Sequence, residues 1–340
     1  MVGRGAEDLP RSHERSHAKQ VPLVKARQAL PLIALSSLLA ALPMTSTAAD
    51  DGVRAPLRSQ TVRPALQFVG LPWTNSLGMT FVPVPGTRVL FCIWETRVQD
   101  FSAFVQATRH DTGNAMYVAG THGWETRLGF NWQKSGFDQS STHPVVGVNW
   151  DDAQAFCRWL TESERQAGLI KEQQCYRLPT DAEWSLAVGL TNETGRTPHE
   201  KFLGVRDVFP WGTNWPPPKA AGNFDPSLGV DPFARTAPVG SFAANRYGLF
   251  DLAGNISEWC EDWWDEEEKF RVLRGAAWNN DCHLCLMSSY RFPNLPAMRI
   301  DYYGFRVVLD LKQSERKAAT PLQLQQKACA ADGTCKELFP

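Results

Sequence analysis

The stretch "TAPVGSFAANRYGLFDLAGNISEW" (Thr236–Trp259) combines acidic and amide side chains with several glycines. It carries side-chain oxygens on Asp251, Asn255 and Glu258, and its glycines allow backbone carbonyls to turn inward. A second stretch, "GNFDPSLGVDPF" (Gly222–Phe233), has the same character. Calcium takes about six to eight such oxygens, often from irregular loops. Neither stretch matches an EF-hand, however, and Asx-turns and helix caps use the same residue types, so spacing alone favours local turn chemistry.

Three amphipathic helices are predicted around these stretches. Each begins at a residue whose side chain can cap the first turn, followed three positions later by a polar residue that closes a capping box. The capping pairs are Thr96 with Gln99, Asn149 with Asp152, and Thr180 with Glu183. Apolar residues at helical spacing follow each pair and give each helix a buried face.

Short strands are predicted at both ends of the domain. Residues 81–84 and 89–95 have the pattern of two strands around a proline-glycine turn, and Pro83 predicts that the first is an edge strand. Residues 270–278 and 302–310 have the composition of closing strands. The combination of few helices and several short strands predicts an α+β fold.

Long ordered loops are also predicted. The chain has 13 tryptophans, 25 glycines and 23 prolines, which suits loops held by large aromatic side chains. Residues 191–238 show little periodicity, and loops of this length are usually functional or held by something additional, such as a metal.

The first 49 residues have the layout of a secretory signal. Lys25 and Arg27 precede an apolar run from Leu30 to Leu42, which ends in small residues suited to cleavage. The predicted organisation is a signal peptide at 1–49, a leader or linker at 50–75, a domain at 76–311, and a tail at 312–340 with a local disulfide between Cys329 and Cys335. The protein is therefore expected to be exported, either to the periplasm or outside the cell.

Charge and hydropathy exclude some partners. Without residues 1–49 the chain has 29 basic and 33 acidic residues, a net charge of −4, and no basic stripe, so no nucleic-acid partner is predicted. No later apolar run is long enough to span a bilayer, so no stable membrane anchor is expected after signal cleavage. The eight cysteines all lie in this exported part, where disulfides can form.

Cys282 and Cys285 form a C-x-x-C pair with His283 between them. Such a pair can form a tight disulfide, bind a soft metal, or cycle as a dithiol. Zinc normally takes four ligands and no second pair is present, whereas copper(I) can be held by two thiolates. From the residues alone, a structural disulfide or two separate buried thiols are favoured over copper, and copper over redox cycling.

Several motifs occur in a fixed order from about Asn75 to Asp310: "HPVVGVNWDDAQAFCRWL", "YRLPTDAEW", the opening stretch, "RVLRGAAWNND" and "GFRVV". In these motifs and their order the chain resembles the formylglycine-generating enzyme family, the sulfatase-modifying factors. The resemblance implies a single α+β domain with the formylglycine-generating-enzyme fold, related to the C-type lectin fold, low in regular secondary structure and stabilised by calcium.

The resemblance also implies two calcium sites. Each would combine side-chain oxygens with backbone carbonyls. The first would use the side chains of Asn223 and Asp231 and the carbonyls of Phe224 and Phe233; the second, the side chains of Asp251 and Glu258 and the carbonyls of Gly254 and Ile256. With this resemblance, calcium binding is preferred to local turn chemistry.

The family's catalytic centre is matched only in part. Its enzymes oxidise a sulfatase cysteine to formylglycine with oxygen, using two cysteines five positions apart that bind copper(I) and the substrate thiol. Alignment from the glycine of "RGAAWNNDCHLC" places Asn280 at the first cysteine and Cys285 at the second. Ala277 replaces the family's active-site serine, and Ser257 replaces a tryptophan. Asparagine is a hard donor and cannot replace a thiolate on copper(I).

These departures predict an exported, calcium-bound family member with a degenerate copper site. It would act as a binding module, or as an enzyme whose substrate the residues do not identify. Its partner would be a glycan or peptide ligand, or an exported protein or peptide such as a sulfatase. The ligand would contact a surface cleft formed by Trp278, Asn279, Asn280 and Arg291. The alternative is a copper-dependent oxidase that makes formylglycine in a sulfatase, with Cys282 and Cys285 as a shifted catalytic pair.

Overall fold

A computed structural model describes residues 72–120, 123–202 and 204–311. The predicted signal peptide, most of the leader and the Cys329–Cys335 pair lie outside these residues. The strands are β1 (Trp73–Thr74), β2 (Thr80–Pro83), β3 (Val89–Cys92), β4 (Ala115–Gly120), β5 (Gly123–Leu128), β6 (Cys175–Arg177), β7 (Ser257–Trp263), β8 (Arg271–Arg274), β9 (Arg291–Asn294), β10 (Tyr303–Gly304) and β11 (Val308–Asp310). The helices are α1 (Val98–Thr108), α2 (Trp150–Gln166), α3 (Asp181–Val188) and α4 (Pro198–Lys201), with a 3-10 turn at Pro226–Leu228.

These short elements, joined by long loops, confirm the prediction of a loop-rich α+β fold. None of the described helices is long and apolar enough to cross a membrane. The domain start predicted at residue 76 stays a prediction; just before it, Trp73 and Thr74 pair with the strand that follows them.

The first sheet has the strand order β1-β2-β3-β11-β6 and is antiparallel throughout. The last strand, β11, lies inside it, with Val308 paired to Phe91 on one side and to Arg177 on the other. The prediction that Pro83 marks an edge strand is wrong, because β2 lies between β1 and β3. Proline is tolerated there because Pro83 pairs only with Leu90 of β3, and β1 ends before it reaches that position.

The second sheet, of order β10-β7-β8-β9, includes the end of the opening stretch. Glu258 of β7 pairs with Arg274 of β8 on one side and Gly304 of β10 on the other. Trp259 is fully buried, and its indole nitrogen donates a hydrogen bond of 3.1 Å to the Val148 carbonyl. The loop before β7 is thereby held at the centre of the domain.

The capping predictions are confirmed for α2 and α3. Asn149 accepts a hydrogen bond of 2.8 Å from the Asp152 amide, and Thr180 accepts one of 3.2 Å from the Glu183 amide. The prediction for α1 is wrong by one residue, because Arg97 and Asp100 form its capping box.

Aromatic packing joins the helices to the sheets. The rings of Phe101 in α1 and Phe156 in α2 lie 6.2 Å apart, and Phe156 lies 5.4 Å from Phe305. Trp184 of α3 is buried in a separate cluster, and its indole nitrogen donates a hydrogen bond of 2.9 Å to Glu258. Helix α3 is therefore connected directly to β7, the strand that begins inside the opening stretch.

Candidate functional site

Asn255 holds the two acidic stretches together. Its side-chain oxygen accepts hydrogen bonds of 2.8 Å from the Ala237 amide and 2.9 Å from the Asn223 side chain. Its side-chain nitrogen donates a bond of 2.7 Å to Glu95, which is fully buried. Both Asn255 and Asp251 have positive φ, 79° and 61°, a conformation that non-glycine residues rarely adopt and that often occurs at functional sites.

Two buried oxygens in this region have no hydrogen-bond partner among the described residues: Oδ1 of Asn223 and Oδ1 of Asp251. Both residues line a cavity of about 210 Å³, together with Trp211 and Phe242. A buried polar atom without a partner costs about 1–3 kcal/mol, so two such oxygens at one cavity indicate a site suited to a cation or a hydrogen-bond donor.

The other predicted calcium side chains already have partners. The two oxygens of Asp231 accept bonds of 3.1 Å from the Phe224 amide and 2.9 Å from the Phe233 amide. The carboxylate of Glu258 is paired with Arg306, which approaches to 2.7 Å, and also accepts the bond from Trp184.

Acidic side chains lie close together at the second predicted calcium position, and the pKa values of Glu95 and Asp251 are raised. Burial, and then the charges of Asp251 and Glu258, raise the pKa of Glu95 well above its usual value. Burial raises the pKa of Asp251 to about 6, although the Gly240 amide and Arg306 act in the opposite direction. No group of three His, Cys, Asp or Glu side chains within the described ranges is arranged as a metal site, so a cation here would depend on amide and backbone oxygens as well.

Asn280, which the resemblance aligns with the family's first cysteine, has a structural role. Its side-chain oxygen accepts a bond of 2.8 Å from the Ala277 amide, and its own amide donates one of 3.0 Å to the Ala277 carbonyl. Its carbonyl accepts a bond of 3.0 Å from the Asp225 amide. The asparagine closes a turn and ties it to the first acidic stretch.

Cys282 and Cys285 form a disulfide, one of the two alternatives favoured from the residues alone; the other, two separate buried thiols, is wrong. The free cysteines of the described chain are Cys92, Cys157, Cys175 and Cys260. Burial raises the pKa of the Cys92 thiol to about 12 and those of Cys157 and Cys260 well above their usual value. These buried thiols are unsuited to form thiolates at neutral pH.

With this geometry in view, comparison with known sequences identifies the family. The sulfatase-modifying factor enzyme 1-like domain matches residues 89–311. The chain belongs to this family. The resemblance seen in the motifs is thereby confirmed.

The relatives of this sulfatase-modifying factor family member include proteins named as formylglycine-generating enzymes and others named as inactive ones. It is 32% identical to the formylglycine-generating enzyme of Mus musculus over 57% of this chain and 52% of the relative. It is 31% identical to the inactive C-alpha-formylglycine-generating enzyme 2 of Bos taurus over 51% of this chain and 52% of the relative. The chain therefore spans about half the length of these curated relatives. Among solved structures, PvdO from Pseudomonas aeruginosa matches with 17% identity and a TM-score of 0.48, over 71% of this chain and 98% of that chain.

The cleft predicted for this family member is wrong in two of its four residues. Arg291 is fully buried, with its guanidinium bound to Asp181 and Glu193. Trp278 is also buried, and its indole nitrogen donates to the Asp301 carbonyl. Asn279 and Asn280 are half-buried. The cavity that the structure shows lies instead beside Asn223 and Asp251.

Sequence reasoning missed two residues of this region, Glu95 and Arg306. Glu95 ends the predicted strand that includes β3, and Arg306 lies inside the quoted motif "GFRVV". Neither position shows a spacing that distinguishes a buried charge from an exposed one. The one available signal was that each charge adjoins apolar strand residues. A charged side chain that is buried in such surroundings needs a partner, because burying it alone is costly.

Proposed function

We propose that this family member is an exported, calcium-binding protein that recognises a protein, peptide or glycan ligand and does not generate formylglycine at a copper pair. One observation carries the proposal: the only cysteine at a family catalytic position, Cys285, is bonded to Cys282, while Asn280 closes a turn. The family includes relatives named as inactive, which is compatible with loss of this chemistry.

Copper does not fit the residues at this position. Copper(I) binding by cysteine requires thiolates, and both sulfurs of the loop are consumed in the disulfide. Asn280 offers an amide oxygen that already accepts a backbone hydrogen bond. No catalytic step through copper is therefore assigned to these residues.

Calcium fits the cavity better. The unpartnered oxygens of Asn223 and Asp251 are hard donors, which calcium prefers. Burial and the charges of Asp251 and Glu258 raise the pKa of nearby Glu95, and a bound cation would favour its ionised form. In this proposal Asn223 and Asp251 hold cations, helped by backbone carbonyls, and the cations offset the repulsion among the buried carboxylates. The resemblance also implies Asp231 and Glu258 as calcium ligands. To bind the metal, both would have to give up their present hydrogen-bond and ion-pair partners.

Calcium is expected to stabilise the protein, and Asp251→Asn to reduce that effect. At free calcium ten times the Kd, binding to the folded state alone adds about 1.4 kcal/mol per site, or about 3–6 °C in Tm for a domain of this size. The measurement is the Tm in EGTA and along a calcium titration. Asp138→Asn is the matched control, because Asp138 is exposed. A Tm that does not change with calcium in the wild type would contradict the proposal.

The ligand is proposed to contact the region of the cavity. Trp211 and Phe242 supply aromatic surface beside the polar oxygens of Asn223 and Asp251. Ligand sites are commonly concave and apolar with a few polar groups that fix orientation. The description of the matching domain, a sulfatase-modifying factor, supports a sulfatase as one candidate partner.

Copper(I) titration of the chain lacking residues 1–49, with its Cys282–Cys285 disulfide intact, separates this function from the alternative. We expect no stoichiometric copper binding and no conversion of a sulfatase peptide to formylglycine. One tightly bound copper, lost in both Cys282→Ser and Cys285→Ser, would instead identify a shifted oxidase centre. Cys175→Ser is the control, because Cys175 is a free, half-buried cysteine elsewhere in the fold.

A further inference from the structure

The disulfide loop has the features of an exchange site. We propose that Cys282 and Cys285 carry out thiol–disulfide exchange with a peptide or protein that contains two cysteine thiols. This activity differs from the proposed ligand recognition and does not depend on calcium or on the cavity. It follows from the exposure, hydrogen bonding and surroundings of the pair.

The two cysteines have unequal environments. Cys282 is exposed, whereas Cys285 is half-buried and packs against a cluster that includes Phe224 and Leu286. The backbone amide of Cys285 donates a hydrogen bond of 3.1 Å to the sulfur of Cys282. A hydrogen bond to sulfur favours its anionic form, so it stabilises a thiolate on Cys282 once the disulfide opens. Cys282 is therefore suited to form the mixed disulfide with the substrate, and Cys285 to re-form the disulfide with Cys282.

An aromatic surface surrounds the loop. The ring of His283, between the two cysteines, lies 4.7 Å from Trp215 and 5.1 Å from Phe209, and its Nε2 lies 3.4 Å from Asp207. Trp215 and Leu284 are each 38% exposed, which is high for large apolar side chains. An apolar rim next to an exposed disulfide can contact the residues that flank a substrate cysteine.

The chemistry balances with the peptide as reductant. A peptide thiolate attacks the sulfur of Cys282, the bond between the two protein sulfurs breaks, and Cys285 leaves as a thiolate that takes a proton. A second peptide thiolate then attacks the peptide sulfur of the mixed disulfide, and Cys282 leaves as the thiolate that the Cys285 amide stabilises. Two peptide thiols lose two electrons and two protons, and the protein disulfide becomes a dithiol. The reverse sequence reduces a peptide disulfide.

The test uses the oxidised chain without residues 1–49 and a reduced synthetic peptide with two cysteines. The two are mixed under argon, quenched with acid, and alkylated for mass spectrometry. We expect peptide disulfide to appear in amounts equal to newly alkylated Cys282 and Cys285, while buried Cys92 stays unmodified. A peptide that stays reduced beside an intact protein disulfide would overturn the proposal.

Single-cysteine variants test the asymmetry of the pair. Cys285→Ser, which leaves Cys282, is expected to react with an aromatic disulfide reagent at least about tenfold faster than Cys282→Ser, because reactivity follows exposure and thiolate stabilisation. Equal rates would contradict the assigned roles. Tryptophan fluorescence checks that each variant is folded, and the wild-type exchange decides the proposal if one is not.

The role of the aromatic rim around Trp215 is tested by comparing exchange rates with the peptide and with the small reagent. Trp215→Ala is expected to slow exchange with the peptide and to leave the rate with the small reagent unchanged. Trp124→Ala is the control, because Trp124 is also 38% exposed but belongs to the β4–β5 hairpin. Equal slowing in both variants would exclude substrate contact by the rim.

Discussion

Asp181→Asn is expected to lower the free energy of unfolding by about 3–5 kcal/mol, the usual cost of breaking a buried ion pair from one side. Asp181, Arg274 and Arg291 are fully buried, and both guanidiniums bind the Asp181 carboxylate, Arg291 at 2.7 Å. The amide would leave Arg274 without its ion-pair partner and Arg291 with Glu193 in place of two carboxylates. The network joins α3 to β8 and β9, so its loss is expected to loosen both.

Urea unfolding followed by tryptophan fluorescence measures this change by linear extrapolation. Asp138→Asn, at an exposed position, controls for the loss of charge and is expected to change stability little. Burial alone would raise the pKa of Asp181, but Arg274 and Arg291 lower it below the usual 3.8. The stabilisation is therefore present above about pH 3.8 and is lost as the pH falls through the lowered value, where wild type and variant should converge. A difference below about 1 kcal/mol at neutral pH would contradict the assignment.

Gly254→Ala is expected to cost about 1–3 kcal/mol or more by overpacking, and to weaken calcium binding. A Cβ on Gly254 would overlap the Asn223 backbone oxygen and lie 2.8 Å from the Phe224 ring. The clash is with backbone, which cannot move aside like a flexible side chain. The Asn255 amide also donates a bond of 2.9 Å to that same oxygen, so the two acidic stretches would be pushed apart.

Gly204→Ala is the control, because its nearest neighbour would lie 3.3 Å from the new carbon. Urea unfolding in EGTA reports the packing cost, and the same experiment in calcium reports the binding change. A variant as stable as the control, with unaltered calcium response, would show that the two stretches do not need their close approach.

The sequence predicted best those features that depend on near neighbours. The caps of α2 and α3 were found because Asn149 and Thr180 act on residues three positions away. The cap of α1 failed because Thr96 is engaged elsewhere: its amide donates to the Phe305 carbonyl, and its carbonyl accepts from Val145. Both partners of Thr96 lie far from it in the chain, so no local pattern reveals them.

The predicted cleft failed for a similar reason. Arg291 is polar and lies among asparagines and serines, which suggests exposure, but its partner Asp181 is 110 positions away. Burial of a charge depends on such a partner, and periodicity does not reveal it. The alignment of Asn280 with a cysteine position, by contrast, was visible in the motif, and the structure supplies the turn that explains the asparagine.

The position of β11 has a consequence for how the protein matures. Because this strand lies between β3 and β6, the first sheet cannot be completed until residues at the far end of the domain have met those near its start. Such distant pairing is slow to form. During synthesis the first sheet would therefore stay incomplete until Asp310 has left the ribosome. Completion of this sheet is expected to be a late step in folding, after the local helices have formed.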